Sequence, residues 1–133
     1  MKTRSIFLCL LLSLTLGLPA AWGQDDLIPK GKGVFEETCA DCHRLNGKGL
    51  PGKFPALDGE PFVTGKPAPV IATVLNGLKG QMGQMPSWKD KLDDGQVAAV
   101  VTYIRQAWSN KAPGVTTGMV SEIRKKAVRK KAK

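Results

Sequence analysis

The chain has 133 residues, enough for one small domain, and its formal net charge of +9 is unevenly distributed. Residues 24–120 carry 11 basic and 10 acidic side chains, whereas residues 121–133 carry 7 basic and 1 acidic. The basic character therefore belongs to a C-terminal tail, which argues against a nucleic-acid-binding face on the body of the domain.

The first 23 residues have the layout of a cleavable secretory signal. A positively charged start precedes an apolar run over residues 6–18, and small residues stand at positions minus three and minus one before Gln24. An uncleaved membrane anchor is the alternative, although the apolar run is short for a bilayer span. We expect export to the periplasm, cleavage after Gly23 and loss of Cys9 with the signal.

The segment KGKGVFEETCADCH predicts a first helix. Gly31 stands four residues before Phe35, and Phe35 stands four before Cys39, so one small and one large side chain share a face. Residues 44–69 are dense in glycine and proline but are too apolar for a free linker. They are expected to form an ordered loop.

A short helix is predicted next, in PVIATVLNGLKG. It starts near Pro69 and ends near Gly77 or Gly80, because proline favours the start of a helix and glycine its end. The segment QMGQMPSWKDKL is then expected to form a second loop.

The clearest helical pattern lies in DDGQVAAVVTYIRQAW, where apolar residues recur at three- and four-residue steps from Val97 to Trp108. Asp93 or Asp94 is expected to cap the start of this helix. A last helix is predicted in TTGMVSEIRKKAVRKK. No alternation of period two is long enough to predict a sheet, so the predicted fold class is all-α with long loops. We expect one domain over residues 24–112 and a basic C-terminal helix or tail over 113–133.

The globular part, of roughly 85–90 residues, lies in the size range where a hydrophobic core is marginal. About a third of it is predicted to be loop, which reduces the core further. A large apolar cofactor would fill such an interior.

Three chemistries can use the motif CADCH, which contains Cys39, Cys42 and His43. Structural zinc needs four ligands, and after loss of the signal the chain offers only these three Cys and His residues. Thiol–disulfide pairs usually lie between a strand and a helix, and no such strand is predicted. In covalent haem attachment, thiols at i and i+3 add to the two vinyl groups, and the histidine can bind the iron.

With this motif in place, residues 28–110 resemble a small, soluble, class I monohaem cytochrome c. The segment KGKGVFEETCADCH is similar to the N-terminal helix of that family, with Gly31 and Phe35 at its glycine and aromatic positions. The resemblance implies a cytochrome c fold in which the N- and C-terminal helices cross and long loops wrap around one haem. The resemblance implies that the N-terminal helix contacts Val100, Tyr103 and Ile104 of the C-terminal helix.

The resemblance also implies haem c attached through Cys39 and Cys42, with the iron ligated by His43 and Met85. Met85 stands directly before a proline in QMPSW, as the ligand does in the family, and proline stiffens such a turn. Met82 is the alternative sixth ligand.

Three further residues are implied to surround the haem. Pro55 in FPALDG would accept a hydrogen bond from the His43 ring through its carbonyl group, with Pro51 as the competing candidate. Leu57 would contact the porphyrin edge. Trp88 would either donate its indole N–H to a propionate or serve as an ordinary core residue.

An iron with both axial positions filled has no room for substrate, which favours one-electron transfer over catalysis. The leading hypothesis is a periplasmic carrier between a dehydrogenase or quinol-oxidising complex and a terminal oxidase or reductase. MPSWKDKLDDGQVAAVVTYIRQAWSN also resembles cytochromes associated with quinoprotein alcohol dehydrogenases and respiratory oxidases, so a dedicated dehydrogenase subunit is the alternative. A peroxidase would need an open or displaceable sixth site. The basic tail is either solvated or docks to an acidic partner or an anionic membrane surface.

Overall fold

The structure is a computed structural model that describes residues 26–80 and 83–131, with side chains described as far as residue 127. The predicted secretory signal, its cleavage after Gly23, and Met82 all lie outside the described residues. Within them the elements are α1 (Leu27–Thr38), α2 (Ala40–His43), α3 (Pro61–Thr64), α4 (Pro67–Asn76), β1 (Leu78–Gly80), β2 (Gly83–Met85), α5 (Asp94–Gln106) and α6 (Thr117–Lys131). No helix in the described ranges combines the length and apolar composition needed to cross a bilayer.

The predicted helical fold class is confirmed, with one short hairpin added. Strands β1 and β2 pair antiparallel, with Leu78 opposite Met85 and Gly80 opposite Gly83. Each strand has only 3 residues, too few for an alternating pattern to be visible in the sequence. Strand β2 lies in the segment predicted as a second loop, and β1 occupies the last three residues of the segment PVIATVLNGLKG, in which only a helix was predicted.

Helices α1 and α5 cross in close contact, as the resemblance implied. A Cβ atom added to Gly31 would lie 2.1 Å from the Ala99 carbonyl oxygen and 2.8 Å from the Cβ of Tyr103. Only glycine therefore permits this approach. Of the implied contacts on α5, Tyr103 lies against Gly31, whereas Val100 and Ile104 are buried in the adjoining core.

Helix α5 begins at a strong local signal and ends before its apolar pattern does. The side chain of Asp93 accepts a hydrogen bond from the Gln96 backbone N–H at 2.7 Å, and the Gln96 side chain accepts one from the Asp93 N–H at 3.0 Å. This reciprocal pair is a capping box. The helix ends at Gln106, and Trp108 has a φ of 56°. Trp108, the last residue of the predicted apolar stripe, therefore lies in the loop after α5 and not in the helix.

Helix α4 corresponds to the predicted short helix and starts slightly earlier, at Pro67. Gly77 follows its last residue with a φ of 71°, a positive value that glycine adopts readily. The short helix α3 was not predicted. It lies within the glycine- and proline-rich loop and buries Val63.

Helix α6 packs on α4 and α5 through its thin apolar stripe. Val120 is fully buried, and Val115, which precedes the helix, is also fully buried. The N–H of Val115 donates to the hydroxyl of Thr102 at 2.9 Å, which ties the connecting segment to α5. The domain boundary between residues 112 and 113 stays a prediction, and the hydrophobic core includes side chains from both sides of it.

Candidate haem site

The cysteines and the histidine lie on one helical turn at the end of α1. The N–H of Cys39 donates to the Phe35 carbonyl at 2.9 Å, and the N–H of His43 donates to the Cys39 carbonyl at 2.9 Å. This geometry places Cys39 and Cys42 on the same side of the turn. Both are free thiols and half-buried.

Burial raises the pKa of the Cys39 thiol above its ordinary value. A contact of 3.3 Å between the Thr38 hydroxyl and the Cys39 sulfur acts in the opposite direction but is the weaker influence. The thiol is therefore protonated at neutral pH. A protonated, half-buried thiol is poorly suited to the redox exchange that low-pKa cysteines perform.

His43 is buried, and its ring is oriented by the first loop. Its Nδ1 lies 2.9 Å from the carbonyl oxygen of Pro55. Because a carbonyl oxygen can only accept, Nδ1 must carry the proton, and the lone pair of Nε2 remains for a metal. The structure thus brings together His43 and Pro55, the pair implied by the resemblance, because the described partner of the His43 ring is the Pro55 carbonyl rather than that of the competing candidate Pro51.

The loop that presents Pro55 is closed by its own backbone. The N–H groups of Leu57 and Asp58 both donate to the Gly47 carbonyl, at 2.7 and 3.0 Å. A Cβ added to Gly49 would lie 2.4 Å from the Phe54 carbonyl oxygen, so the two sides of the loop are in direct contact. This packing explains why a segment rich in glycine and proline holds a fixed conformation.

Trp108 clamps the start of this loop, a role not visible in the sequence. Its indole N–H donates to the Leu45 carbonyl at 2.9 Å, and a Cβ on Gly47 would lie 2.6 Å from its ring. The ring also meets Phe35 and Tyr103 at centroid distances of 5.4 and 5.9 Å. Through Trp108, residues 45–47 are therefore held against Phe35 of α1 and Tyr103 of α5.

Two polar side chains near the end of α5 hold the rest of the loop. Asn110 is buried and donates to the carbonyls of Leu57 and Ile104, at 3.0 and 2.7 Å. The guanidinium of Arg105 is also buried and donates to the Val63 carbonyl at 2.6 Å. Desolvation lowers the pKa of Arg105 from its ordinary value. Sequence reasoning missed these residues because their partners lie far away along the chain.

Met85 lies at the end of β2, half-buried and packed against the hydrophobic core. A Cβ on Gly77 would lie 2.4 Å from the Met85 carbonyl oxygen, so the backbone at Met85 lies directly against the end of α4. The hydroxyl of Ser87 donates to the Leu75 carbonyl at 2.7 Å, and the N–H of Trp88 donates to that of Val74 at 3.2 Å.

The two remaining predicted site residues also pack against the core. Leu57 and Trp88 are half-buried, and each contacts the main hydrophobic cluster. The ammonium group of Lys91 lies 5.2 Å from the Trp88 ring centroid, within the range of a cation–π contact.

The donor set fits covalent haem. Two free thiols on one turn, a buried imidazole with a paired Nδ1, and a thioether beside a proline are the groups that hold haem c in His/Met-ligated cytochromes. The hydrogen bond from His43 to Pro55 is the orienting contact that metal-bound histidines ordinarily have.

Three relatives give the functional context. The "Alcohol dehydrogenase (quinone), cytochrome c subunit" of Gluconacetobacter polyoxogenes is 35% identical over 103 residues, covering 71% of this chain and 22% of the relative. The "Gluconate 2-dehydrogenase cytochrome c subunit" of Pantoea cypripedii is 36% identical over 116 residues, covering 80% and 26%. Cytochrome c-552 of Thermus thermophilus is 34% identical over 106 residues, covering 69% and 80%. The chain thus spans about a quarter of the two dehydrogenase subunits.

A family model described as "Cytochrome C oxidase, cbb3-type, subunit III" matches residues 26–104, which is more than half of the chain. The matched range contains Cys39, Cys42, His43 and Met85. Members of the cytochrome c family carry covalently bound c-type haem and transfer electrons. Together with the donor set, the match shows that this chain belongs to the cytochrome c family.

Proposed function

We propose that this protein is a periplasmic one-electron carrier with a single haem c, attached through Cys39 and Cys42 and ligated by His43 and Met85. The observation that carries the proposal is the buried His43 ring, whose Nδ1 is paired with Pro55 while Nε2 is left for the iron. The two free thiols on the same helical turn support covalent attachment beside that ring.

The residues of the chain then have distinct tasks. When bound, the haem supplies reversible one-electron chemistry at its iron. The Pro55 carbonyl fixes the tautomer of His43 and increases the basicity of its free nitrogen. Met85 offers a soft sulfur that favours ferrous over ferric iron, which raises the reduction potential. Leu57 and Trp88 exclude water from the proposed haem environment, and exclusion of water also favours the less charged ferrous state.

Replacement of Met85 by alanine is expected to remove the absorption band of methionine-ligated ferric haem. Loss of the thioether should also lower the reduction potential by about 0.1–0.3 V, a fraction of the ~0.8 V range that axial ligation spans. Visible spectroscopy and a redox titration of the purified holoprotein measure both effects.

Met119→Ala is the matched control, because Met119 is a half-buried methionine on α6. It should leave the band in place. A band that persists in Met85→Ala but disappears in Met82→Ala would assign the sixth ligand to Met82. A native protein without the band would contradict His/Met ligation and would favour a haem enzyme with an open site.

A second candidate function is a dedicated cytochrome subunit or partner of a periplasmic, quinoprotein alcohol-type dehydrogenase. It is favoured by the relatives named as cytochrome c subunits of alcohol and gluconate dehydrogenases. Affinity purification of the tagged holoprotein from native periplasm and membranes distinguishes the two. Stoichiometric recovery of one dehydrogenase supports the subunit, and recovery of the cytochrome alone supports the free carrier.

The basic tail is proposed to dock on an acidic partner protein or an anionic membrane surface. Lys125 and Lys126 are exposed on α6, where they add to the positive potential that steers association. The double variant Lys125→Gln/Lys126→Gln should slow reduction by a co-purified dehydrogenase about threefold at low salt, and the effect should vanish at about 0.5 M salt because of screening.

Stopped-flow measurement across a salt series tests this expectation. The double variant Lys66→Gln/Lys111→Gln is the control, since it removes the same charge from exposed positions outside the tail. Equal slowing by both pairs would point to net charge rather than to the tail. Retained protein reduction together with lost sedimentation on anionic vesicles would instead assign the tail to the membrane.

A further inference from the structure

Arg124 joins α6 to the segment that connects β2 with α5. Its Nε donates to a carboxylate oxygen of Asp94 at 2.6 Å, and its Nη2 donates to the Leu92 carbonyl at 2.9 Å. Its Nη1 donates to the carbonyl of Lys89. The side chains of Arg124 and Asp94 are each only 27% exposed, and a guanidinium with several fixed acceptors differs from an ordinary surface ion pair.

The segment held by Arg124 continues directly from Met85. The N–H groups of Lys91 and Leu92 donate to the Trp88 carbonyl at 3.0 and 2.9 Å, forming a tight turn over residues 88–92. The N–H of Lys89 donates to the Leu75 carbonyl of α4 at 3.1 Å. The segment is therefore fastened to α4 on its N-terminal side and to α6 on its C-terminal side.

Helix α6 lies beyond residues 26–104, the part that matches the family model. It is nevertheless integrated in the fold, because Val120 is fully buried and Ile123 packs on the core. Arg124 follows Ile123 directly, and its guanidinium donates hydrogen bonds to groups of the domain. Its neighbours Lys125 and Lys126 are exposed.

We propose that Arg124 is a positioning residue that acts through the 88–92 turn to hold Met85 in place for the haem iron. The inference rests on the proposed His/Met ligation. Because the turn is anchored at both sides, residues 85–88 have fewer conformations in which the Met85 thioether lies away from the iron. Met85 therefore competes better than an unanchored methionine against other ligands for the iron. Residues 26–104, which match the family model, contain Met85 and the groups that accept hydrogen bonds from Arg124, whereas Arg124 itself lies outside them.

Competition with imidazole on the ferric holoprotein tests the proposal. We expect Arg124→Gln to bind imidazole about tenfold more tightly than the native protein, equal to about 1.4 kcal/mol. Arg124→Lys should behave like Arg124→Gln, because an ammonium group cannot make the same forked set of hydrogen bonds. Lys125→Gln, which removes an exposed charge from the next position, should leave the affinity unchanged.

Spectral titration gives the imidazole affinity, and denaturant unfolding of the same samples gives the stability. Lower stability of Arg124→Gln with unchanged imidazole affinity would overturn the proposal, as would an equal effect of Lys125→Gln. If Arg124→Gln does not fold, Asp94→Asn replaces it in the test, and we expect this variant to bind imidazole about threefold more tightly than the native protein. An unchanged imidazole affinity of Asp94→Asn would overturn the proposal. Absence of the methionine band from the native protein would instead contradict the ligation itself, so the two failures are distinguishable.

Discussion

The double variant Cys39→Ala/Cys42→Ala, produced in a cell with a cytochrome c assembly system, is expected to contain no covalently bound haem. Both thiols are free and lie on the helical turn that ends at His43, and thioether bonds to the two vinyl groups can form only from cysteine sulfur. Haem staining after denaturing electrophoresis should fall to background, because haem held by ligation alone is lost when the chain unfolds.

Each single variant, Cys39→Ala or Cys42→Ala, should retain at most one thioether. The pyridine haemochrome spectrum reports the number of unreacted vinyl groups and so distinguishes the single from the double variant. Cys9→Ala is the control, because Cys9 lies in the predicted signal and its loss should leave the stain unchanged. Haem that remains attached in the denatured double variant would refute attachment through these cysteines.

The second large effect is expected at the crossing of α1 and α5. Gly31→Ala places a Cβ 2.1 Å from the Ala99 carbonyl oxygen, a distance that real contacts do not reach, so the two helices must move apart. We expect the free energy of unfolding to fall by about 3 kcal/mol or more, at the upper end of overpacking effects. Guanidinium unfolding of the holoprotein, followed by circular dichroism, measures the change.

Gly33→Ala is a matched control on the same helix. A Cβ on Gly33 would meet no described atom within 4 Å, so alanine should raise the free energy of unfolding by up to about 1 kcal/mol through its higher helix propensity. Comparable stability of the two variants would mean that the close approach at Gly31 does not limit the packing of α1 on α5.

The parts of the fold that were predicted correctly depend on neighbouring residues. Asp93, one of the two residues expected to cap α5, is the N-cap, and the structure adds Gln96 as its capping-box partner within the same turn. Gly77 signals the end of α4 in a similar way, because the residue directly after the helix has a positive φ that glycine adopts readily. The spacing of Gly31, Phe35 and Cys39 places them on one helical face irrespective of what that face contacts.

The parts that were missed depend on partners distant in the chain. Trp108 was assigned to the apolar stripe of α5, yet it leaves the helix with φ of 56° to bond Leu45. Asn110 lies beyond the predicted stripe of α5, and its side-chain amide donates to the carbonyls of Leu57 and Ile104. Every residue has a backbone carbonyl that can accept a hydrogen bond, so the identity of the accepting residue gives no signal in the sequence.

By itself, the sequence determined the chemistry that this chain can offer. Covalent attachment needs cysteines at a set spacing, and Cys39, Cys42 and His43 meet that need within a single helical turn. Only the tertiary structure decided which nitrogen of His43 is left for a metal, because that depends on Pro55 reaching the ring from a separate loop. It also decided that Arg124 belongs to the domain rather than to a solvated tail, since its acceptors lie on the 88–92 turn and on the first residue of α5. Local spacing specifies reactive groups, and long-range packing specifies how they are oriented.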